Sequence, residues 1–173
     1  SAGSMTVSTN NSLAPAQNVA VNLAGQPMGA FTVDVRGEAI SVARLAFNVD
    51  VVDELTADVT SVSLYDANGK VIAGPVDGTD TEVGTGGATG LSTGEIIFTD
   101  TVTFPIGVNS YVLKGKFGTN FDNNDTFVAS TTPSNWGTVT GLTTGKTVTP
   151  SPTSAITLST MTVKTGAFTL SVS

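Results

Sequence analysis

Apolar and polar side chains alternate along most of this chain in short stretches, separated by clusters of Gly, Pro, Asn and Asp. A period of two is the signature of a strand with one face buried. It places Val19, Val21 and Leu23 on one face of a strand, and Phe31, Val33 and Val35 on one face of the next. The stretch 40–51 is the strongest core strand, and its phase changes. Ile40 and Val42 share one parity, whereas Leu45, Phe47, Val49 and Val51 share the other. The three-residue step between Val42 and Leu45 predicts a β-bulge, or a strand that passes from one sheet to another. Further strands are predicted over 59–65, 71–73, 96–104, 111–117, 126–129, 156–158 and 161–172. Asn68-Gly69 between two of them predicts a hairpin closed by a type I′ turn. Residues 74–94, with Pro75 and repeated glycines, predict a long loop or a ragged edge hairpin.

No segment holds a 3.6-residue apolar period, so the expected fold is all-β with no helix beyond about two turns. Roughly nine to eleven short strands with connections of Greek-key length predict a β-sandwich. One domain over 1–173 fits, with Phe31, Leu45, Phe47, Phe98, Leu113 and Phe117 among its core residues. Tyr111 belongs to the same set.

The chain also repeats itself. Gly3-Ser4-Met5-Thr6-Val7-Ser8 matches Gly166-Ala167-Phe168-Thr169-Leu170-Ser171 class by class, and Gly29-Ala30-Phe31-Thr32-Val33 matches as well. Short matches of this kind also arise from composition alone in a Thr-rich chain. Taken as a true repeat, they predict one strand more than a sandwich needs. Segments 1–12 and 160–173 are then candidate exchanged strands, with Met5 and Val7, or Phe168 and Leu170, filling pockets in another copy of the chain.

Composition narrows the chemistry. The chain has no His and no Cys, which removes the commonest general base, metal ligands and thiolate nucleophile. Charge is sparse at 12%, with a net charge of −7 and no basic patch, so nucleic acid is not an expected partner. No apolar run reaches the ~20 residues of a membrane span. Glu95 and Asp100 are the only carboxylates that resemble a hydrolytic pair, and Asp100 reads better as a rim residue beside a bulge. The oxygen-rich run 121–125 offers a weak Ca²⁺ site at Asp122, Asn124 and Asp125. The competing reading is a turn that caps its own backbone. Asp50, Asp53 and Glu54 form a second, weaker acidic group. Asn10 and Asn124 each open an N-x-Ser/Thr glycosylation triplet. Trp136 reads as a core plug in preference to an exposed platform for a sugar.

Ser12–Val19, Gly29–Val33, Val62-Ser63-Leu64-Tyr65-Asp66-Ala67-Asn68-Gly69 and Phe104-Pro105-Ile106-Gly107, followed by Tyr111–Phe117, carry a resemblance. Together they resemble the immunoglobulin-like β-sandwich modules of large, repetitive bacterial cell-surface and S-layer-like proteins. The resemblance implies an immunoglobulin-like Greek-key sandwich with extra terminal strands, in an extracellular location. It implies neighbouring modules of a surface protein, or copies of the chain itself, as partners. The functional expectation is a non-enzymatic structural subunit of a filament or surface layer that needs no cofactor apart from a possible Ca²⁺. The alternative is an adhesin or carbohydrate-binding module.

Overall fold

The computed structural model describes residues 2–82 and 90–166. The described residues are nearly all β and form two sheets, as the alternation predicts. In chain order the strands are β1 (Ser4–Thr9), β2 (Gln17–Val19), β3 (Gln26–Arg36), β4 (Ile40–Val52), β5 (Val59–Tyr65), β6 (Val71–Val76) and β7 (Thr79–Glu82). They continue with β8 (Leu91–Phe98), β9 (Val102–Phe104), β10 (Gly107–Phe117), β11 (Thr126–Thr131), β12 (Gly137–Gly141), β13 (Ile156–Thr157) and β14 (Met161–Val163). Two single 3-10 turns, Thr56–Asp58 and Pro133–Asn135, complete the elements. The smaller sheet runs β1-β3-β10-β5-β6, and the larger runs β2-β14-β11-β4-β8-β7 with β9 and β12 beside β4 and β13 beside β11.

The phase change in β4 has a clear structural counterpart. Ala43 and Arg44 both turn away from the core between buried Val42 and Leu45. At that point the neighbours of β4 change: β9 and β12 pair with its first part, and β8 and β11 with its second. The strand stays in one sheet, and the irregularity joins two sets of partners.

Aromatic rings fill the space between the sheets. Phe31 from β3 meets Phe47 from β4 at 5.7 Å, and Phe47 meets Phe98 edge-on at 6.1 Å. All six aromatic and aliphatic residues named above as core are fully buried. Trp136 is a core plug as expected: its ring stacks on Phe104, and its Nε1–H donates to Thr131 Oγ1 at 2.8 Å.

Several expectations need correction. The turn after β5 is a hairpin but not type I′, since positive φ occurs at Gly69 and not at Asn68. Asp66 Oδ1 accepts from the backbone N–H groups of Asn68 and Lys70, so the aspartate shapes a longer loop. The strand expected over 18–23 is cut short, because Asn22 takes a left-handed φ of 56° and leaves Leu23 exposed. The 74–94 region is the ragged edge hairpin as far as it is described, with an irregular register between β7 and β8.

The terminal strands are the largest correction. β1 pairs antiparallel with β3 of its own chain, Met5 opposite Val35 and Val7 opposite Val33. Both side chains are buried in the chain's own core. Two of the three matching segments are therefore neighbours in one sheet, and Met5 and Val7 are not free for a second copy. Phe168 and Leu170 lie outside the described residues.

Candidate functional site

The two sheets part at the end where β5 finishes and β10 begins. Strand β10 alternates, so Asn109, Tyr111, Leu113 and Phe117 point inward. Tyr111 lies deep in this row, 4% exposed, with its ring edge-on to Phe104 at 5.2 Å and beside Phe31 at 5.7 Å. Above it the Asp66 loop and the Pro105 turn enclose a cleft of about 180 Å³. The walls that matter are Asp66, Asn68, Ile72, Pro105, Asn109 and Tyr111. Ile106 and Val108, 60% and 66% exposed, follow in the chain from the Pro105 wall and carry apolar surface beside it.

A core position filled by Tyr instead of Phe raises the question of what the hydroxyl bonds to. Among the described residues the Tyr111 hydroxyl is not a buried atom left without a partner, so it opens onto the cleft and the water in it. Burial, assisted by the negative charge of Asp66, pushes its pKa up to about 12. The phenol therefore stays protonated across the physiological range and presents a donor to whatever fills the cleft. Sequence reasoning placed Tyr111 in the core and missed the cleft. The available signal was a hydroxyl on an otherwise apolar face, opposite a turn that begins with Asp.

The same end of the molecule is fixed by Glu38, just before β4. Its side chain is 2% exposed and accepts from the backbone N–H groups of Gly3, Thr143 and Thr144 at 2.8–2.9 Å, and from the Thr144 hydroxyl at 2.8 Å. Hydrogen bonding, from Thr144 first, pulls its pKa down to about 2. Gly141 makes room for it, since a Cβ there would sit 2.3 Å from the carboxylate. Glu38 is structural, and nothing in the local sequence beyond a turn marks it.

The residues expected to hold Ca²⁺ take the turn-capping role instead. Asp125 is buried and its Oδ2 accepts from the Asp122 backbone N–H at 2.7 Å, while Asn124 adopts a left-handed φ of 78°. Asp122 and Asn124 are exposed. The structure does bring the two acidic groups of the sequence together. Burial raises the pKa of Glu54 to about 8, with the neighbouring carboxylate of Asp58 and the charge of Asp125 adding to the effect. Among the described residues no group of three or more acidic side chains is arranged to hold a metal ion.

Of the two glycosylation triplets, Asn10 is engaged: its Nδ2 donates to Thr32 and Ser110, and its Oδ1 accepts from the Leu13 N–H. Asn124 lies on the surface beside Lys164. Asp100 is exposed and accepts from the Gly74 N–H, a rim role as expected, and Glu95 is partly exposed on the outer face of β8. No helix is long and apolar enough to cross a membrane.

No protein-family model matches the chain, and no curated protein does. A solved structure titled "AvmM Catalyzes Macrocyclization in Alchivemycin A Biosynthesis" is similar over 97% of this chain and 92% of its own, at 10% identity and a TM-score of 0.42. That title describes an enzyme. Own-chain pairing of β1 removes the N-terminal half of the strand-exchange basis for the expected filament or surface-layer subunit, and no match supports the adhesin alternative. Those expectations are withdrawn. A likeness this distant carries no argument for any activity of this chain.

Proposed function

We propose that this protein is a ligand-binding module that seats a small, uncharged, partly apolar molecule in the cleft over Tyr111. One observation carries the reading: Tyr111, a residue only 4% exposed and with no hydrogen bond from its hydroxyl among the described residues, lines an open cleft with apolar and acidic walls. An acceptor on a ligand replaces the water this donor meets in the open cleft, an exchange worth about 0.5–1.5 kcal/mol net. Asp66 on the opposite wall disfavours an anion and accepts from a hydroxyl or amide N–H. Ile72 and Pro105 suit an apolar body. At about 180 Å³ the space is smaller than the ~300–1,000 Å³ of drug-sized sites, so the occupant is small.

The proposed topology is of immunoglobulin-like, Greek-key type. It is supported by the chain crossing between the sheets from β3 to β4, β4 to β5, β9 to β10 and β10 to β11.

The test is a protein-observed NMR screen with small uncharged alcohols and amides, repeated on Tyr111→Phe. Binding fragments should shift the amides of Asn68, Asn109 and Tyr111. The Phe variant, which keeps the ring and loses the donor, should bind them about tenfold more weakly. Equal binding by both proteins, or no shift at these amides, would overturn the reading.

A further inference from the structure

A second concavity lies on the outer face of the larger sheet, away from the cleft. Its floor is Ala46, a small residue on β4 between the outward-facing Arg44 and Asn48. Glu95 on β8 stands directly opposite Asn48 in the register and forms one side. Thr132 and Asn135, at the Pro133–Asn135 turn, form the other. Gly137, opposite Arg44, leaves space for the arginine stem, because a Cβ there would fall 2.9 Å from the Arg44 Cβ. The dimple measures about 170 Å³.

Its polar groups are unused. None of the side chains of Arg44, Asn48, Glu95, Thr132 and Asn135 makes a hydrogen bond or ion pair among the described residues. The outer face of the smaller sheet behaves in the opposite way. There Thr32 and Ser110 bond to each other at 2.9 Å, and Asn10 donates to both. One polar cluster is saturated from within the chain, whereas the other presents five side chains to solvent around a floor that admits a guest.

We infer that this dimple binds a short zwitterion of dipeptide size, its carboxylate on Arg44 and its ammonium on Glu95. Charge complementarity selects this class. A simple anion meets the Glu95 carboxylate, and a simple cation meets the Arg44 guanidinium, whereas a molecule with both charges satisfies both. Spacing selects the size. Arg44 and the Asn48–Glu95 pair are four positions apart along β4, about 13 Å at the rise of a strand. Once both side chains lean over Ala46, the remaining gap suits charges separated by a peptide unit better than those of a single α-amino acid. Asn48, Asn135 and Thr132 are placed to bond to the peptide group between them.

Glycylglycine is the probe, followed by NMR titration of the whole protein. N-acetylglycylglycine lacks the ammonium and glycylglycinamide lacks the carboxylate. Glycylglycine should shift the amides of Ala46 and Asn48 and the Trp136 indole. Arg44→Gln, Glu95→Gln and each blocked peptide should weaken binding by about tenfold or more, as expected for loss of a charged hydrogen bond. Both substitutions are at surface positions. No shift up to the solubility limit would overturn the inference, as would blocked peptides or variants that bind as well as the parents. Tyr111→Phe should leave glycylglycine binding unchanged, which separates this site from the cleft.

Discussion

Two buried glutamates bracket β4, one at each end of the structure, and their surroundings have opposite effects on the proton. Glu38 precedes the strand and receives three backbone N–H groups and a hydroxyl, so its carboxylate is better solvated by the protein than most are by water. Glu54 follows the strand and accepts the Leu55 N–H, with Asp58 and Asp125 close by. In the same turn the fully buried Thr56 hydroxyl has no partner among the described residues. Burial alone therefore does not set the behaviour of an acid. The count of donors supplied by the fold does. Glu38 holds the start of the chain and the 143–144 turn, and its charge stays ionised.

The comparison fixes a pH profile with two limbs. Glu38 has a folded pKa of about 2, below its ordinary 4.5. Its stabilisation is present above pH 4.5 and is lost as pH falls toward 2. Glu54 has a folded pKa of about 8. Its protonated form stabilises fully below pH 4.5, and that contribution is lost as pH rises through 8.

The largest expected effect comes from the core between the two ends. Phe47→Ala should cost about 3–5 kcal/mol in denaturant melts and sets the scale for both ends. Glu38→Ala should follow, because it strands three backbone donors, and thermal melts at pH 7 should show a larger loss than any substitution at the Glu54 end. Glu54→Gln should do the reverse above pH 8, stabilising the protein by on the order of 1–3 kcal/mol by removing a buried charge. At pH 5 the same substitution should change little, and a destabilisation at pH 9 would break the comparison. The smallest effect is local. Hydrogen exchange at the Thr143 and Thr144 amides should stay slow from pH 5 to 9 after correction for intrinsic rates.

The alternating pattern was enough to find the strands that matter most, because a buried face imposes a period of two on any strand. It also located the break in β4, since a phase change in the sequence must be absorbed somewhere in the sheet. Trp136 could be assigned to the core because a lone large ring among small polar residues has few other places to go. The cleft was only half legible. The Asp66 loop and Tyr111 were each visible, but they are 45 positions apart and meet only when β5 and β10 pair.

What the sequence determined by itself was local: strand phase, turn positions, and the exclusion of thiol and imidazole chemistry. What the tertiary structure alone decided was pairing and donor count. The match between the two chain ends suggested exchange between copies, yet β1 pairs with its own β3 and buries Met5 and Val7 in the chain's own core. Glu38 and Glu54 are the same residue type in similarly polar surroundings of sequence. Long-range neighbours make Glu38 an anion held by Gly3, Thr143 and Thr144, whereas burial, with nearby Asp58 adding to it, favours the proton on Glu54. Hydrogen-bond donors that arrive from more than 100 residues away cannot be read from a local pattern, and they set the charge state.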